Sequence, residues 1–383
     1  MKRIAICTLF HKNYNYGGVL QAYATQKVLA DKGYEAEIIS FDDAKSVNPI
    51  YPTNLSRIKQ YSVIEVVKKI SEIINKKYNT GLQKKLQIRY SLYKDFVKRN
   101  VSVSKIYSDE NINDIGKSYD VFISGSDQVW NPNAVNNLYL QNFQLKEGAK
   151  RISYAASIGR DGLSKWECNI MIPLISKFDY ISVREKSAKE ILKRHIDSKD
   201  ISVVCDPTIL LPSVKWDEVA CERMIQGPYV IMYAFSECRF INHLIDYYRN
   251  KGIKCYYIPY AKNSPNSFDE KYHITPLFDV GPSQFISLIK HSEMVVTDSF
   301  HGSVFSVIYN KPFIVFERDN NNNKTSKNCR IYDLLNTLKL SNRLVTESDI
   351  PWTESIDYTT TNSIINEMRN MSLNWLIDAI ESH

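Results

Sequence analysis

The chain has 383 residues, 44% of them hydrophobic and 24% charged, and a formal net charge of +7. Such a composition is typical of globular proteins in water, and the length allows two domains with a core in each. No apolar run is long enough to span a membrane. The N-terminal run IAICTLF is short and is followed by His11 and Lys12, so we expect a first strand rather than a signal peptide.

Seven cysteines are scattered along the chain without a CxxC pair. The odd count and the wide spacing argue against a zinc knuckle and against the disulfide framework of a small secreted protein. We therefore expect reduced thiols, a cytoplasmic location and no metal site.

The N-terminal part alternates between strand and helix patterns. RIAICTLF predicts a buried strand, VLQAYATQKVLADKG has helical periodicity and ends at Gly33, and AEIISF predicts the next strand. A strand, a helix and a strand in this order form a βαβ unit, in which the two strands run parallel.

A basic segment follows between residues 57 and 99, with twelve lysines and arginines against three acids. Apolar residues at helical spacing predict a solvated helical insertion over about 55–100, with one face on the core. The alternative is a surface that meets anionic phospholipid or a lipid diphosphate, which charge reversal at Lys68, Lys69, Lys76 and Lys77 would test. Nucleic acid is not expected, because no nucleic-acid-binding motif accompanies the charges.

The alternation of strands and helices continues as far as CDPTILL, breaks at Pro207–Gly227 and restarts with YVIMYAF. We therefore predict an α/β protein of two Rossmann-like domains, in residues 1–210 and 225–360, that face each other across a cleft. A C-terminal helix in 361–383 follows, and the polar stretch RDNNNNKTSKN is expected to be a loop.

Several short motifs follow predicted strands, where parallel sheets bind their ligands. Gly17 and Gly18 would let backbone N–H groups approach an anion, although a turn without a ligand has the same pattern. In DSFHG, Ser299 and the N–H groups around Gly302 also lie where a helix begins. A bound anion there favours a protonated His301, which can then act as a general acid. No partner His or Cys lies at ligand spacing, so a metal is not expected.

SGSDQVWNP is dense in hydrogen-bonding side chains. Asp127, Gln128 and Asn131 suit sugar hydroxyls and Trp130 suits the face of a sugar ring; the alternative is a capped turn with Trp130 in the core. Arg184 ends the strand in ISVRE, where it suits either bidentate contact with phosphate or carboxylate, or a salt bridge. Neither G-x-G-x-x-G nor a Walker motif occurs, so a dinucleotide is not indicated.

Six motifs, in this order and at these separations, resemble those of the polysaccharide pyruvyl transferase family between about Ile4 and Arg318: NYGGVLQAYATQ, SGSDQVWNP, SYAASIG, SVREKSA, CDPTILL and VTDSFHGSVFSV. The resemblance implies a fold similar to the two-domain GT-B glycosyltransferases. It implies transfer of pyruvate from phosphoenolpyruvate to two hydroxyls of one sugar, which forms a ketal on a cell-surface saccharide or its lipid-linked precursor. It also implies no metal and no cofactor besides this co-substrate.

On this interpretation His301 is the acid, and the donor contacts are Arg184, Ser299, Gly302, Ser157, Gly17 and Gly18. The acceptor contacts are Asp127, Gln128, Trp130 and Asn131. Some members of the family carry an arginine where this chain has Ser299, and Arg160 or Arg318 would then replace that donor contact.

Two other functions fit the sequence. One is a GT-B glycosyltransferase that uses a nucleotide sugar, for which Glu317 at a predicted strand end is the candidate ligand of the nucleoside. The other is a non-catalytic saccharide-binding protein of a polymer-assembly complex.

Overall fold

The computed structural model describes residues 2–51, 80–236, 238, 241–259, 274–318, 328–345 and 355–382. Within them the first sheet has seven strands: β1 (Arg3–Cys7), β2 (Glu35–Phe41), β3 (Val103–Tyr107), β4 (Val121–Ser124), β5 (Lys150–Ala156), β6 (Tyr180–Val183) and β7 (Ile201–Val203). The second sheet has six: β8 (Tyr229–Tyr233), β9 (Lys254–Tyr257), β10 (Thr275–Pro276), β11 (Met294–Thr297), β12 (Phe313–Phe316) and β13 (Leu344–Val345).

Both sheets are parallel throughout, which confirms the predicted fold class of two α/β domains. The strand orders are β3-β2-β1-β4-β5-β6-β7 and β10-β9-β8-β11-β12-β13. The order reverses between β1 and β4 in the first sheet and between β8 and β11 in the second. Such reversals open a crevice at the carboxyl ends of the strands, where α/β proteins bind ligands.

The described helices are α1 (Tyr16–Asp31), α2 (Thr80–Asn100), α3 (Ile112–Gly116), α4 (Lys165–Ile175), α5 (Lys186–Lys193), α6 (Pro207–Leu210), α7 (Ser213–Asp217), α8 (Ile241–Asn250), α9 (Pro282–Lys290), α10 (Phe300–Ile308), α11 (Cys329–Thr337) and α12 (Thr359–Glu381). Central strands such as β4, β8, β11 and β12 are buried along their whole length. They read as continuous apolar runs because helices cover both faces of a parallel sheet.

Helix α1 packs against both halves of the protein, which explains why it is buried almost all round. The hydroxyl of Tyr16 donates to the Val280 carbonyl at 2.8 Å, and the Tyr16 ring stacks on Phe285 with centroids 4.5 Å apart. Further along α1, Tyr23 contacts Trp216 at 5.6 Å. The two sheets are therefore joined through a shared apolar core rather than by a chain segment alone.

The C-terminal helix α12 follows the second sheet in sequence but packs on the first. Ser372 Oγ accepts a hydrogen bond from the Cys205 N–H at 2.9 Å, and Arg369 Nε donates to the Ile209 carbonyl at 2.9 Å. At its end, the Ile380 carbonyl accepts from Lys2 Nζ at 2.8 Å.

The predicted basic insertion is described only from residue 80 onward, where it forms α2. Lys68, Lys69, Lys76 and Lys77 lie outside the described residues, as does most of the predicted loop RDNNNNKTSKN. Among the described helices, none combines the length and the apolarity needed to cross a bilayer. All seven cysteines are free thiols.

Candidate functional site

His301 lies in the first turn of α10, and the local sequence fixes it there. Ser299 is the N-cap: its Oγ accepts from the Gly302 N–H at 3.4 Å. Thr297 Oγ1 accepts from the Ser299 N–H at 3.0 Å and donates to the Tyr233 carbonyl at 2.6 Å. A Cβ at position 302 would lie 2.3 Å from Thr297 Oγ1, so this position requires glycine. The hydroxyl of Ser299 and the backbone of Gly302 therefore build the turn that presents His301.

The imidazole of His301 is enclosed by the opposite half of the protein. A Cβ at position 17 would lie 2.0 Å from His301 Nδ1, so α1 approaches the ring this closely because Gly17 has no side chain. On the other side, Nε2 lies 3.6 Å from Asp206 Oδ2, and no described residue hydrogen-bonds to it. The side chain of His301 is buried, with 6% of the residue exposed.

Asp206 is the fully buried centre of the site. Its Oδ2 accepts from Arg184 Nη1 at 2.7 Å and from Ser126 Oγ at 3.1 Å, and its Oδ1 accepts from the backbone N–H and hydroxyl of Thr208. Burial alone would raise the pKa of Asp206, but His301 and Arg184 hold that pKa well below its ordinary value. Asp206 therefore stays ionised and places a fixed negative charge next to the imidazole.

Arg184 follows β6 and forms the salt bridge with Asp206 that was one of its two sequence interpretations. Its guanidinium lies over the ring of Phe300 at 4.3 Å, which holds its plane. Nη2 is 3.8 Å from Asp127 Oδ1, and within the described part of the chain both Nε and Nη2 lack hydrogen-bond partners. Arg184 therefore uses Nη1 in its ion pair with Asp206, and its buried donors Nε and Nη2 remain for a ligand.

Arg330, in the first turn of α11, completes the site and was missed by the sequence analysis. It is 6% exposed, and burial together with the charge of Arg184 lowers its pKa to about 10. With the Gln128 amide oriented toward it, the amide oxygen lies 3.2 Å from Nη1 and 3.3 Å from Nη2. Its Nε has no hydrogen-bond partner among the residues that the structure describes. No sequence motif predicts Arg330 as a site residue, because α11 follows a polar stretch rather than a strand.

Arg318 brings a third guanidinium to the same place. Its Nη2 donates to the Asp298 carbonyl at 3.0 Å and its plane covers the Phe235 ring at 3.9 Å. In the described ranges its Nε has no hydrogen-bond partner. The other predicted substitute, Arg160, instead pairs with Glu167 at 2.9 Å. The role of Arg318 as a replacement for an arginine at residue 299 stays a prediction.

The acids around these arginines are held by backbone N–H groups. Glu185 Oε1 accepts from Ser157 Oγ at 2.8 Å and from the N–H groups of Ile158 and Gly159, while Oε2 lies 3.8 Å from Arg184 Nε. Asp298 accepts from the N–H groups that follow β8 at 2.9–3.0 Å. The spare hydrogen-bonding capacity of the site therefore lies mainly on its cations, which favours an anionic ligand.

Several predicted contacts are wrong. Trp130 is fully buried, donates to the Tyr139 carbonyl and meets the Phe178 ring edge-on, so it belongs to the core and cannot stack on a sugar. Ser157 is fully buried and holds Glu185 rather than a donor. The Gly18 N–H is not available to an anion, because it donates to the N-cap Asn15 at 3.2 Å.

The two amides of SGSDQVWNP serve the protein itself. Asn131 is 6% exposed and its Oδ1 caps the turn at the Asn133 N–H, while Gln128 faces Arg330. Asp127 is different: its side chain is 13% exposed and lies beside Arg184. Asp127 therefore keeps a partly exposed side chain beside Arg184, and its role as an acceptor contact stays a prediction.

A cavity of about 230 Å³ opens at Arg184 and Arg330. Asp206 and Phe300 also line it, and Met368 of α12 forms part of an apolar wall. Within the described part of the chain, no group of three or more His, Cys, Asp and Glu side chains is arranged to hold a metal ion. The absence of a metal and of a further cofactor stays a prediction.

The two parallel sheets, the paired strand reversals and the cleft between them define a protein of GT-B-like architecture. Among solved structures, UDP-N-acetylglucosamine 2-epimerase from Rickettsia bellii is similar with a TM-score of 0.53 and 9% identity, covering 100% of this chain and 97% of its own. A putative UDP-N-acetylglucosamine 2-epimerase from Listeria monocytogenes has a TM-score of 0.49 and 12% identity, covering 100% and 96%. At these identities the likeness is one of fold.

The family follows from the sequence. Residues 15–320 match the polysaccharide pyruvyl transferase family, and the chain belongs to that family. No curated protein matches the chain at a significant level. The matched span includes Gly17, Asp127, Arg184, Asp206 and His301, whereas Arg330 lies beyond its end.

Proposed function

We propose that this protein transfers the pyruvyl group of phosphoenolpyruvate to two hydroxyls of one sugar, and so forms a pyruvate ketal on a cell-surface saccharide or its lipid-linked precursor. Family membership supports the transferase class and a saccharide acceptor. The observation that carries the donor is the meeting of three arginines around a histidine, each arginine with a buried N–H group that has no partner among the described residues. We expect the protein to act in the cytoplasm, where phosphoenolpyruvate is made.

Phosphoenolpyruvate suits these arginines because it carries a phosphate and a carboxylate on neighbouring atoms. Arg184 offers Nε and Nη2, and Arg330 and Arg318 each offer Nε. Arg184 and Arg330 also line the cavity at the site. In a buried site each such contact replaces an unsatisfied donor by a charge-assisted hydrogen bond, which makes the arginines strong anchors for a dianion.

The proposed chemistry begins with a proton. His301 gives its proton to the methylene carbon of phosphoenolpyruvate, which makes C2 electrophilic, and a sugar hydroxyl attacks C2 while its proton passes to Asp127. The bond from C2 to the phosphate oxygen then breaks, and phosphate leaves with the proton held by Asp127. The second hydroxyl closes the ketal and returns a proton to His301. Asp206 stays ionised throughout and holds the imidazole in place.

Phosphate release from phosphoenolpyruvate, measured with and without a panel of saccharide acceptors, tests the proposal. We expect release that depends on the acceptor, and its loss in His301→Gln. His243→Gln is the matched control. His243 is exposed on α8, lies far along the chain from the three arginines and has no part in the proposed reaction. Turnover in His301→Gln at the rate of the control would refute the role of His301.

A nucleotide-sugar glycosyltransferase is the competing function. Its candidate ligand Glu317 already accepts a hydrogen bond from the Tyr332 hydroxyl. Thermal stabilisation by nucleoside diphosphates and not by phosphoenolpyruvate would favour this function. Stabilisation by phosphoenolpyruvate that Arg330→Ala removes would favour pyruvyl transfer.

A further inference from the structure

We propose that a second pocket, between the β1–α1 loop and α2, binds a phosphate or diphosphate group carried by the acceptor saccharide. This α1–α2 pocket has a volume of about 300 Å³ and is lined by Phe10, His11, Lys12, Asn13, Tyr14, Val19, Ser40, Tyr93, Lys94, Val97 and Lys98. The saccharide part of the inference rests on the proposed function; the anion-binding part rests on the pocket itself.

Three lysines give the α1–α2 pocket its positive charge. Lys94 and Lys98 are four residues apart on α2 and so lie on one face of the helix, and Lys12 approaches from the β1–α1 loop. All three are exposed. Within the described part of the chain, neither Lys94 nor Lys98 has an ion-pair partner. Their charge is therefore available to a ligand.

His11 adds an unsatisfied buried atom to the same wall. Its Nδ1 lies 2.7 Å from Ser40 Oγ, whereas its Nε2 is buried and has no hydrogen-bond partner in the part of the chain that the structure describes. Burial and the charge of Lys12 lower the pKa of His11, and Asp42 acts weakly in the opposite direction. An anion oxygen in the pocket would both satisfy Nε2 and favour the protonated ring.

Aromatic side chains line the rest of the α1–α2 pocket. The rings of Tyr14 and Tyr93 meet edge-on with centroids 5.8 Å apart, and Phe10 lies beside them. Of these rings Tyr14 is the half-buried one, and an aromatic face next to cations suits a sugar phosphate, since the sugar ring packs on Tyr14 and the phosphate meets the lysines. An inorganic anion alone would contact the lysines and leave the aromatic part of the lining unused.

The pocket is connected to the reaction site through one short segment. Residues 10–14 line the pocket, and Gly17, three residues beyond Tyr14, packs against the imidazole of His301. A saccharide whose phosphate lies between Lys94 and Lys98 would therefore extend along the start of α1 toward the cleft. This orientation fixes which end of the acceptor carries the anion and which end receives the pyruvyl group.

The test uses the full-length protein labelled with ¹³C at histidine, without phosphoenolpyruvate. Glucose 1-phosphate and inorganic diphosphate are titrated while the His11 imidazole resonance, assigned through His11→Gln, is followed by NMR; methyl glucoside is the neutral control. We expect both anions to shift this resonance and to raise the pKa of His11. Lys94→Glu should weaken binding at least about tenfold, whereas Lys84→Glu, on an exposed part of α2 outside the pocket, should not.

Three results would overturn the inference. The first is equal binding in Lys94→Glu and Lys84→Glu. The second is a His11 shift with methyl glucoside as large as that with glucose 1-phosphate. The third is a response to anionic phospholipid vesicles but to neither soluble phosphate, which would assign the lysines to a membrane surface instead. If the anions bind as expected but no acceptor supports phosphate release, the anion pocket stands and the proposed function fails.

Discussion

Gly17→Ala tests whether the position of the His301 imidazole, and not only its presence, is needed for the reaction. A Cβ at residue 17 would lie 2.0 Å from Nδ1, 2.4 Å from Cε1 and 2.5 Å from Cγ of His301. Ordinary contact begins at 3.4 Å, so the ring has to move from 2.0 to 3.4 Å, a displacement of about 1.4 Å. The ring is enclosed on its other side by Asp206, so this movement disturbs the acid and its carboxylate together.

The size of the effect follows from that displacement. A misplacement of about 1 Å at a reacting group costs roughly a hundredfold in rate, so we expect kcat to fall by about two orders of magnitude. The effect on stability is small, because alanine improves helix propensity by about 1 kcal/mol. Overpacking, at about 1–3 kcal/mol, offsets that gain. The variant should therefore fold and lose activity.

The assay is acceptor-dependent phosphate release, with thermal unfolding measured on the same samples. Gly162→Ala is the matched control, because its added Cβ meets no atom within 4 Å, and it should keep full activity. The double variant Gly17→Ala/His301→Gln should be no slower than His301→Gln alone, since both changes remove one function. Unchanged kcat in a folded Gly17→Ala protein would refute the argument that α1 positions the imidazole.

Three further predictions concern the site and its surroundings. Arg330→Lys should raise KM for phosphoenolpyruvate by at least about tenfold with little change in Tm, because an ammonium group cannot replace the fixed guanidinium fork; an unchanged KM would remove Arg330 from the donor site. Asp206→Asn should lower stability at neutral pH, and because the native pKa of Asp206 is depressed, the wild-type advantage should shrink as pH falls below the ordinary carboxyl pKa of about 4. Denaturant unfolding between pH 7 and pH 2 measures this, and an advantage that grows on acidification would contradict it. Trp130→Phe should cost about 1–3 kcal/mol of unfolding free energy and leave KM for the acceptor unchanged; a raised acceptor KM would restore Trp130 to the binding site.

Much of the fold could be predicted because parallel strands that helices cover on both faces are nearly continuous apolar runs in the sequence. Runs such as VFIS, MVVT and FIVF are buried at every position, and only the last residues of the first two, Ser124 and Thr297, are polar, since both faces of the sheet are covered. The short strands β10 and β13 could not be predicted in the same way. Each has two residues, which is too short for a periodic pattern, and each is defined by its neighbour in the sheet.

The candidate site was predictable where residues directly follow strands. His301, Arg184 and Asp127 each come after a strand of a parallel sheet, and all three meet in the cleft. Arg330 could not be found in this way, since it lies in a helix and enters the cleft through tertiary packing. Asp206 was hidden for another reason: an aspartate before a proline is typical of a helix N-cap, and Asp206 does cap α6 at Thr208.

Trp130 shows where local pattern misleads. The residues next to Trp130 are polar, which favours an exposed side chain. Asn131 and Gln128, however, use their polar groups for hydrogen bonds within the protein. A polar stretch around an aromatic residue therefore has two readings, a binding surface or a capped turn over a core. Burial, which decides between them, depends on Phe178 and Tyr139, and no local pattern in the motif contains either contact.

A serine at position 299 is explained by how positive charge and helix capping are divided among the residues of the site. Three arginines reach the cleft from three different elements: Arg184 after β6, Arg318 after β12 and Arg330 in α11. With this charge already present, residue 299 is free to cap α10, and a serine N-cap contributes about 1 kcal/mol to the helix that carries His301. A fourth guanidinium there would add like charge to a cluster in which Arg330 already has a lowered pKa. In the proposed reaction Ser299 therefore fixes the helix that carries the acid His301, while arginines from other elements meet the charge of the donor.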